Sequence, residues 1–322
     1  MTVCNEEPFV AAAIESILNQ TYRDFDFLII DDGSADRSNA IAASYRDPRI
    51  RLVTNPTNLG FTRTLNRGLS MIASEYVARM DGDDISYPAR FEKQIAFLDA
   101  HRDVAVAGTQ AHSIDVHGRR NRRVAWWHAE WRRPTSDLVM EWYRMFDTPL
   151  VHSSVMFRRA AVDAYDERYP LNQDAELWMR VARRHRIANL DEVLIGFRGH
   201  SKSMTGDPHR REREGYDALK IGLVHTLLRE GLRCDVPRRW AELWTTGDDV
   251  RELANVLDQC AARFAEIHPE SRDNRDIARH QASMLARMAA KKPSLFLLRR
   301  MFRRDAPTTF RFLTRLAAEA FR

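Results

Sequence analysis

Cysteine is nearly absent. Cys4, Cys234 and Cys260 are the only three in 322 residues, odd in number and far apart. That pattern excludes a disulfide framework and a cysteine zinc site, and fits reduced thiols in a cytosol. Long apolar runs are missing too: none approaches the roughly 18 uncharged residues of a membrane-spanning helix. The first residues show neither the basic region nor the apolar stretch of a secretory leader. No G-x-G-x-x-G follows the first strand, which removes a dinucleotide dehydrogenase. The chain has no internal repeat and no low-complexity segment.

What is present is ordinary in bulk and uneven in detail. Apolar residues make up 44% and charged residues 30%, the balance of a soluble globular protein with one large domain or two medium ones. The net charge of +5 is concentrated at one end. From Lys291 onward nine Lys/Arg face Asp305 and Glu319, a net +7, which leaves −2 for everything before. The basic balance therefore describes a tail and gives no reason to expect nucleic-acid binding by the whole protein.

The most informative stretch is Val77-Ala78-Arg79-Met80-Asp81-Gly82-Asp83-Asp84. An apolar run, Tyr76 to Met80, reads as a buried strand and stops in three carboxylates around one glycine. Three acids so close repel one another. A divalent cation compensates them, and hard oxygen ligands suit Mg²⁺ or Mn²⁺; a solvated acidic turn is the plainer alternative. Before this stretch the pattern alternates: a helix to about Gln20 with acids and Pro8 in its first turn, a strand over Asp26–Ile30, a helix over Ser38–Tyr45, a strand over Ile50–Thr54 and a helix over Phe61–Met71. This rhythm predicts a largely parallel sheet with right-handed crossovers. Asp31-Asp32 and Asp81 to Asp84 then fall at strand carboxyl ends, on one rim, where ligands of open α/β sheets sit. Further on, helices are expected over Ala89–His101, Ser136–Arg144 and Gln173–Arg184. Strands are expected over Val104–Gly108, His152–Phe157 and Val193–Phe197. Beyond Pro208 the chain reads as helical.

The succession of motifs resembles family-2 glycosyltransferases. The nucleotide half is carried by Asn5-Glu6-Glu7-Pro8, Ser16-Ile17-Leu18-Asn19-Gln20-Thr21-Tyr22, Asp31-Asp32-Gly33-Ser34, Asn58-Leu59-Gly60, the Arg79–Asp84 stretch and Arg90-Phe91-Glu92-Lys93-Gln94. The acceptor half is carried by Val151 to Arg158, Asp174-Ala175-Glu176-Leu177-Trp178 and Phe197-Arg198-Gly199-His200 with Ser203 and Thr205. The resemblance covers about residues 1 to 205. It implies a GT-A fold (an α/β, mostly parallel sheet flanked by helices) in a catalytic domain over 1–207, followed by a helical region over 208–322. It also implies metal-dependent, inverting transfer of a sugar from a nucleotide-diphosphate sugar, with a UDP-sugar the expected donor, to a glycan or lipid-linked glycan of a bacterial surface polysaccharide.

By this resemblance Asp83 and Asp81 match the D-x-D that holds Mn²⁺ or Mg²⁺, with Asp81 also toward the ribose. His200 matches the histidine that completes the metal or diphosphate site. Asp31 and Asp32 match the acids that hold base and ribose, although Asp32-Gly33-Ser34 would equally serve a turn. Asp174 matches the catalytic base, with Glu176 as runner-up and a helix N-cap as the structural alternative. His152 and Trp178 fall at the acceptor site, though Trp178 is also in phase with a helix core.

Three features depart from the pattern. Gln173 replaces the usual Glu before the base. Cys4 stands where an aromatic ring is common. Only Met1-Thr2-Val3 remains of a first strand that is normally longer, so the chain reads as starting inside a longer gene, or as impaired, with neighbouring ladder groups left unpaired. A nucleotidyltransferase of related fold would need a glycine-rich loop with Arg and Lys here, and has none. A non-catalytic nucleotide-sugar binder is the remaining rival. Arg119 to Arg133, with six arginines and three tryptophans, reads as a loop over the acceptor site or a solvated connector rather than a single-strand nucleic-acid binder. The apolar and basic pattern from Lys291 to Arg322 fits a helix lying on an anionic membrane at its cytoplasmic face, or one packed on protein.

Overall fold

A computed structural model describes residues 1–120, 133–200, 216–246, 248–272, 274–282 and 305. Most of the Arg/Trp segment and nearly all of the basic tail lie outside these. The described chain divides into two compact units, Met1–Thr135 with Thr148–Tyr216, and Ser136–Asp147 with Asp217–Arg322.

The first unit begins with β1 (Thr2–Val3), α1 (Val10–Leu18), β2 (Phe27–Asp31), α2 (Ser38–Ser44), β3 (Ile50–Thr54), α3 (Phe61–Ser70) and β4 (Tyr76–Ala78). It continues with β5 (Ile85–Ser86), α4 (Arg90–Ala100), β6 (Val104–Ile114), β7 (Met156–Arg158), α6 (Gln173–Ala182) and β8 (Arg186–Arg198). Strands β1-β2-β3 pair in parallel. A second group runs β4-β7-β6-β8-β5, in which β6 and β8 are parallel and the other pairs antiparallel. A parallel bridge from Thr2 to Asp81 joins the groups. The sheet is mixed and rich in parallel pairs.

Helix α1 buries Val10, Ala13, Ile14 and Ile17, the i, i+3, i+4, i+7 face of a helix, in the core that holds Phe27 and Ile29 of β2. Two motifs act as polar staples. Gln20, fully buried, donates Nε2 to Ser16 O (3.0 Å), Ser86 Oγ (3.1 Å) and Tyr87 O (3.0 Å), and accepts from Phe91 N (3.1 Å). Arg90, also fully buried, donates Nη2 to Arg79 O (2.8 Å) and Val155 O (3.0 Å), while Gln94 reaches Ser154 O (2.9 Å). These bonds fix the ends of β4 and β7 beside one another.

Several elements differ from the sequence expectation. β8 is 13 residues long and starts at Arg186 rather than Val193. Asp191 and Glu192 hide its first half in the sequence. They fall at a bulge, where Thr109 pairs with Leu190 and Gln110 with Val193, so both carboxylates stand exposed without breaking the ladder. β6 runs unbroken through Ile114. His152–Ser154 is a 3₁₀ turn ahead of β7 rather than strand. α1 starts at Val10 with no acid in its first turn, so Glu6 and Glu7 lie ahead of the helix. β1 has two residues, and a cavity of about 690 Å³ beside it is lined by Phe27, Leu28, Leu65, Tyr76 and Phe91 among others.

In the second unit α5 (Asp137–Arg144) joins α7 (Tyr216–Leu232), α8 (Arg238–Thr246) and α9 (Val250–Ile267). Trp142, fully buried, packs edge-on to Phe264 at 5.3 Å and donates Nε1 to His280 Nδ1 (2.9 Å). No described helix is long and apolar enough to cross a membrane.

Candidate active site

The strand order places the acids. Val3 of β1 lies opposite Asp31, and Thr2 opposite Asp81. Parallel strands sit about 4.8 Å apart, so Asp31 and Asp81 flank β1 at about 10 Å from each other. Gly82 is what lets the acidic loop lie this close, because a Cβ there would meet Val3 Cγ2 at 3.2 Å and Thr2 O at 3.3 Å. Asp81 is held through both oxygens by the guanidinium of Arg79. That guanidinium is buried and stacks 5.3 Å from the Phe61 ring centroid. Burial raises the Asp81 carboxyl above its usual range, and Arg79 opposes the rise.

Asp83 and His200 meet from 117 residues apart, with His200 Nε2 2.9 Å from Asp83 Oδ2. His200 is only 7% exposed, against the Phe9 ring at 5.0 Å. Arg198 brings it there. Its backbone N–H donates to Asp84 Oδ1 (2.7 Å), its Nε to Asp83 O (2.5 Å) and its Nη1 to Asp115 O (2.6 Å). Asp84 thus ties the end of β8 to the acidic loop. Burial, with Asp83 and Asp81 nearby, pushes its carboxyl well up. Glu6 closes the other side. Glu6, Asp83 and His200 offer ligand atoms within 4.8 Å of one another, as do Asp81, Asp83 and Asp84. Burial first, then Asp83, Asp81, Asp36 and Asp84, push the Glu6 carboxyl up to about 8. Two overlapping clusters of oxygen with one imidazole nitrogen fit a hard divalent cation such as Mn²⁺ or Mg²⁺.

The two acids ending β2 differ. Asp32 is saturated: Oδ1 accepts from Asn55 Nδ2 (2.7 Å) and Leu59 N (2.8 Å), Oδ2 from Gly60 N (3.1 Å). It holds the Asn58–Gly60 turn at the head of α3. Asp31, 1% exposed, accepts only from Ser34 N (3.2 Å) through Oδ2, and its Oδ1 is buried with no partner. Gly33, at φ 65°, lets this turn close, since a Cβ would fall 2.7 Å from Asn58 N. Cys4 borders the same place, accepting from Asn58 Nδ2 at 3.1 Å.

On the acceptor side α6 starts at Gln173, and its N-cap position falls on Asn172 at φ 65°. Asp174 is therefore the helix's second residue, half-buried. Glu176 gives both oxygens to Arg180, at 2.9 and 3.0 Å. Tyr165, fully buried, feels the charges of Arg79, Asp174 and Asp81. Burial chiefly raises its phenol, keeping it protonated. It lies 2.9 Å from His152 Nε2. Burial and the nearby Arg79 hold His152 well below its usual pKa, hence neutral. Trp178 is 1% exposed and packs beneath His152 (6.1 Å) and Phe157 (5.9 Å), with its Nε1 unpartnered, so it is a wall behind His152 rather than a surface ring.

The family model "Glycosyl transferase family 2" matches residues 1–166, just over half the chain. The chain belongs to glycosyltransferase family 2. Among similar curated proteins, EpsE of Bacillus subtilis (strain 168), which carries a glycosyltransferase name, is 34% identical over 238 residues, covering 71% of this chain and 80% of its own length. The amylovoran biosynthesis glycosyltransferase AmsE of Erwinia amylovora is 30% identical over 212 residues, covering 64% and 74%. The crystal structure of S. aureus TarS 1–349 in complex with UDP-GlcNAc is similar with a TM-score of 0.54 at 17% identity, covering 91% of this chain and 80% of that one. The protein is thus a family-2 glycosyltransferase with the GT-A fold.

Sequence reasoning assigns no role of their own to three residues of this candidate site. Glu6 reads as an acid of a helix first turn. Arg79 is hidden inside an apolar run, although a lone arginine in a buried strand is itself a signal that a buried carboxylate is near. Tyr165 belongs to no motif.

Proposed function

We propose that the protein transfers a sugar, with inversion, from a nucleotide-diphosphate sugar of the UDP type to a glycan or lipid-linked glycan, with a divalent cation bound at the acidic loop. The observation that carries this reading is the meeting of Asp83 with His200 at 2.9 Å. Asp83 and His200 are the candidate ligands, with the Asp81 carboxylate beside them. Such a cation, Mn²⁺ or Mg²⁺, supplies charge stabilisation for the departing diphosphate. Asp31 and Asp32 bound the nucleotide pocket, with the unpartnered Asp31 Oδ1 suited to an N–H on the base.

Asp174 takes the proton from an acceptor hydroxyl as its oxygen bonds to the anomeric carbon and the bond from that carbon to phosphate breaks, leaving the nucleoside diphosphate. The family motif gives Asp174 that role, while Glu176 places both its oxygens on Arg180. Neutral His152 and protonated Tyr165, bonded to each other, back the acceptor site. The basic tail, Lys291 to Arg322, attaches the enzyme to anionic membrane beside a lipid-linked acceptor.

The experiment is a binding and turnover panel of UDP, GDP and dTDP sugars with and without Mn²⁺. The expected result is UDP-sugar binding and transfer or slow hydrolysis only with the cation. Equal activity in chelator overturns the metal reading, and binding without any turnover favours a non-catalytic sugar-nucleotide binder.

A further inference from the structure

We propose that Glu6 is a direct ligand of the divalent cation beside Asp83 and His200, in preference to Asp81, whose two oxygens Arg79 already holds. This rests on the reading of the acidic loop as a cation site, and concerns which oxygens are still available there.

Asp81 has both oxygens on the Arg79 guanidinium, which is buried and stacked on Phe61. Freeing one would leave a buried guanidinium short of its partner, a costly exchange. Asp84 gives Oδ1 to the backbone of Arg198. Its other oxygen is buried without a partner in a residue 1% exposed, and Asp84 shares one cluster with Asp81 and Asp83. A buried carboxylate oxygen without a hydrogen-bond donor, in a residue of that cluster, needs a cation or a proton.

Glu6 faces that set from the opposite wall. Its position comes from a locked backbone. Its N–H donates to Ser38 Oγ (2.8 Å), and its carbonyl accepts from Phe9 N and Val10 N (2.9 Å each). The preceding Asn5 turns the chain at φ 56°. Its side-chain stem lies against the acidic loop, where a Cβ on Gly82 would sit 3.5 Å from Glu6 Cγ. Glu7 next to it points elsewhere, accepting from Arg37 N at 3.1 Å. Two carboxylates and one imidazole within 4.8 Å give three protein ligands for Mn²⁺ and leave its other positions to diphosphate oxygens and water.

The test is Mn²⁺ binding followed by the free-ion EPR signal, in the full-length protein with UDP present. Wild type, Glu6→Gln, Glu7→Gln and Asp81→Asn are compared, with melting temperatures to confirm that each is folded. Glu6→Gln is expected to weaken Mn²⁺ binding by about 10-fold or more, given that even indirect partners of metal ligands cost that much. Glu7→Gln should match wild type, and Asp81→Asn should lose less than Glu6→Gln. Wild-type affinity in Glu6→Gln with loss in Asp81→Asn overturns the proposal and leaves the cation site standing. Absence of Mn²⁺ binding in wild type overturns both.

Discussion

Asp31 and Asp32 are neighbours at the end of β2 with opposite states: Asp32 has both oxygens filled by the Asn55–Gly60 turn, and Asp31 keeps Oδ1 buried and unpartnered. On the proposed reading, structure and recognition divide between these adjacent carboxylates. Asp32→Asn should lower stability by about 1–3 kcal/mol, the cost of leaving buried donors unmet, and would be read as a lower melting temperature. Asp31→Asn should hold its melting temperature and weaken UDP binding by about 10-fold or more, since a hydrogen bond to a charged group is worth about 1.5–3 kcal/mol. Calorimetry with UDP separates the two, and equal losses of affinity in both variants would refute the division.

Asp174→Asn is expected to cut turnover by about 10²-fold or more while donor affinity stays intact. Glu176→Gln should keep near-normal turnover, because that carboxylate serves Arg180. Steady-state kinetics with a separately measured donor affinity decides it. A dead Glu176→Gln beside an active Asp174→Asn would move the role.

His152 gives a pH signature. Its pKa in the folded protein lies well below the ordinary 6.5, because burial and Arg79 disfavour the imidazolium. As pH falls through 6.5 the unfolded chain takes up a proton that the folded chain refuses, so stability falls, by at most about 1.4 kcal/mol per pH unit. His152→Phe removes that contribution. Thermal melts between pH 7.5 and 5, a range of about one unit above to about one and a half below the free imidazole value, should show a flatter dependence in the variant. Parallel curves would mean that His152 is protonated in the fold.

For the tail, the full chain should co-sediment with vesicles containing anionic lipid, ignore neutral ones and come off at high salt. Each basic residue near such a surface is worth about 1 kcal/mol. Deleting Lys291 to Arg322 should abolish co-sedimentation and spare donor hydrolysis. Failure to bind anionic vesicles, or unfolding on truncation, would favour helices packed on protein.

How far the sequence could be read depended on where each signal was local. β2, β3, α3 and α4 announced themselves by period, and the acids stood at strand ends as expected. The apolar pattern shows only Val193–Phe197 of β8, because Asp191-Glu192 interrupt it, and a bulge lets these two charged residues stand out of a continuous strand. Asp31 and Asp32 were inseparable because their difference lies in which of them the turn after β3 reaches. Glu6 was masked by a neighbour of the same charge, and only the Ser38 contact and the loop at Gly82 bring it inward.

Arg198 has a further consequence, for synthesis. Glu6 and Asp83 can meet His200 only once the chain has been made through the end of β8, where Arg198 anchors the acidic loop. At about 5–20 residues per second on the ribosome, the chain carries its acidic loop for several seconds before the histidine that accompanies it exists. A nascent chain can therefore build β1-β2-β3 early and still lack the residues that complete the acidic cluster, so the cluster is finished in one late step rather than by degrees.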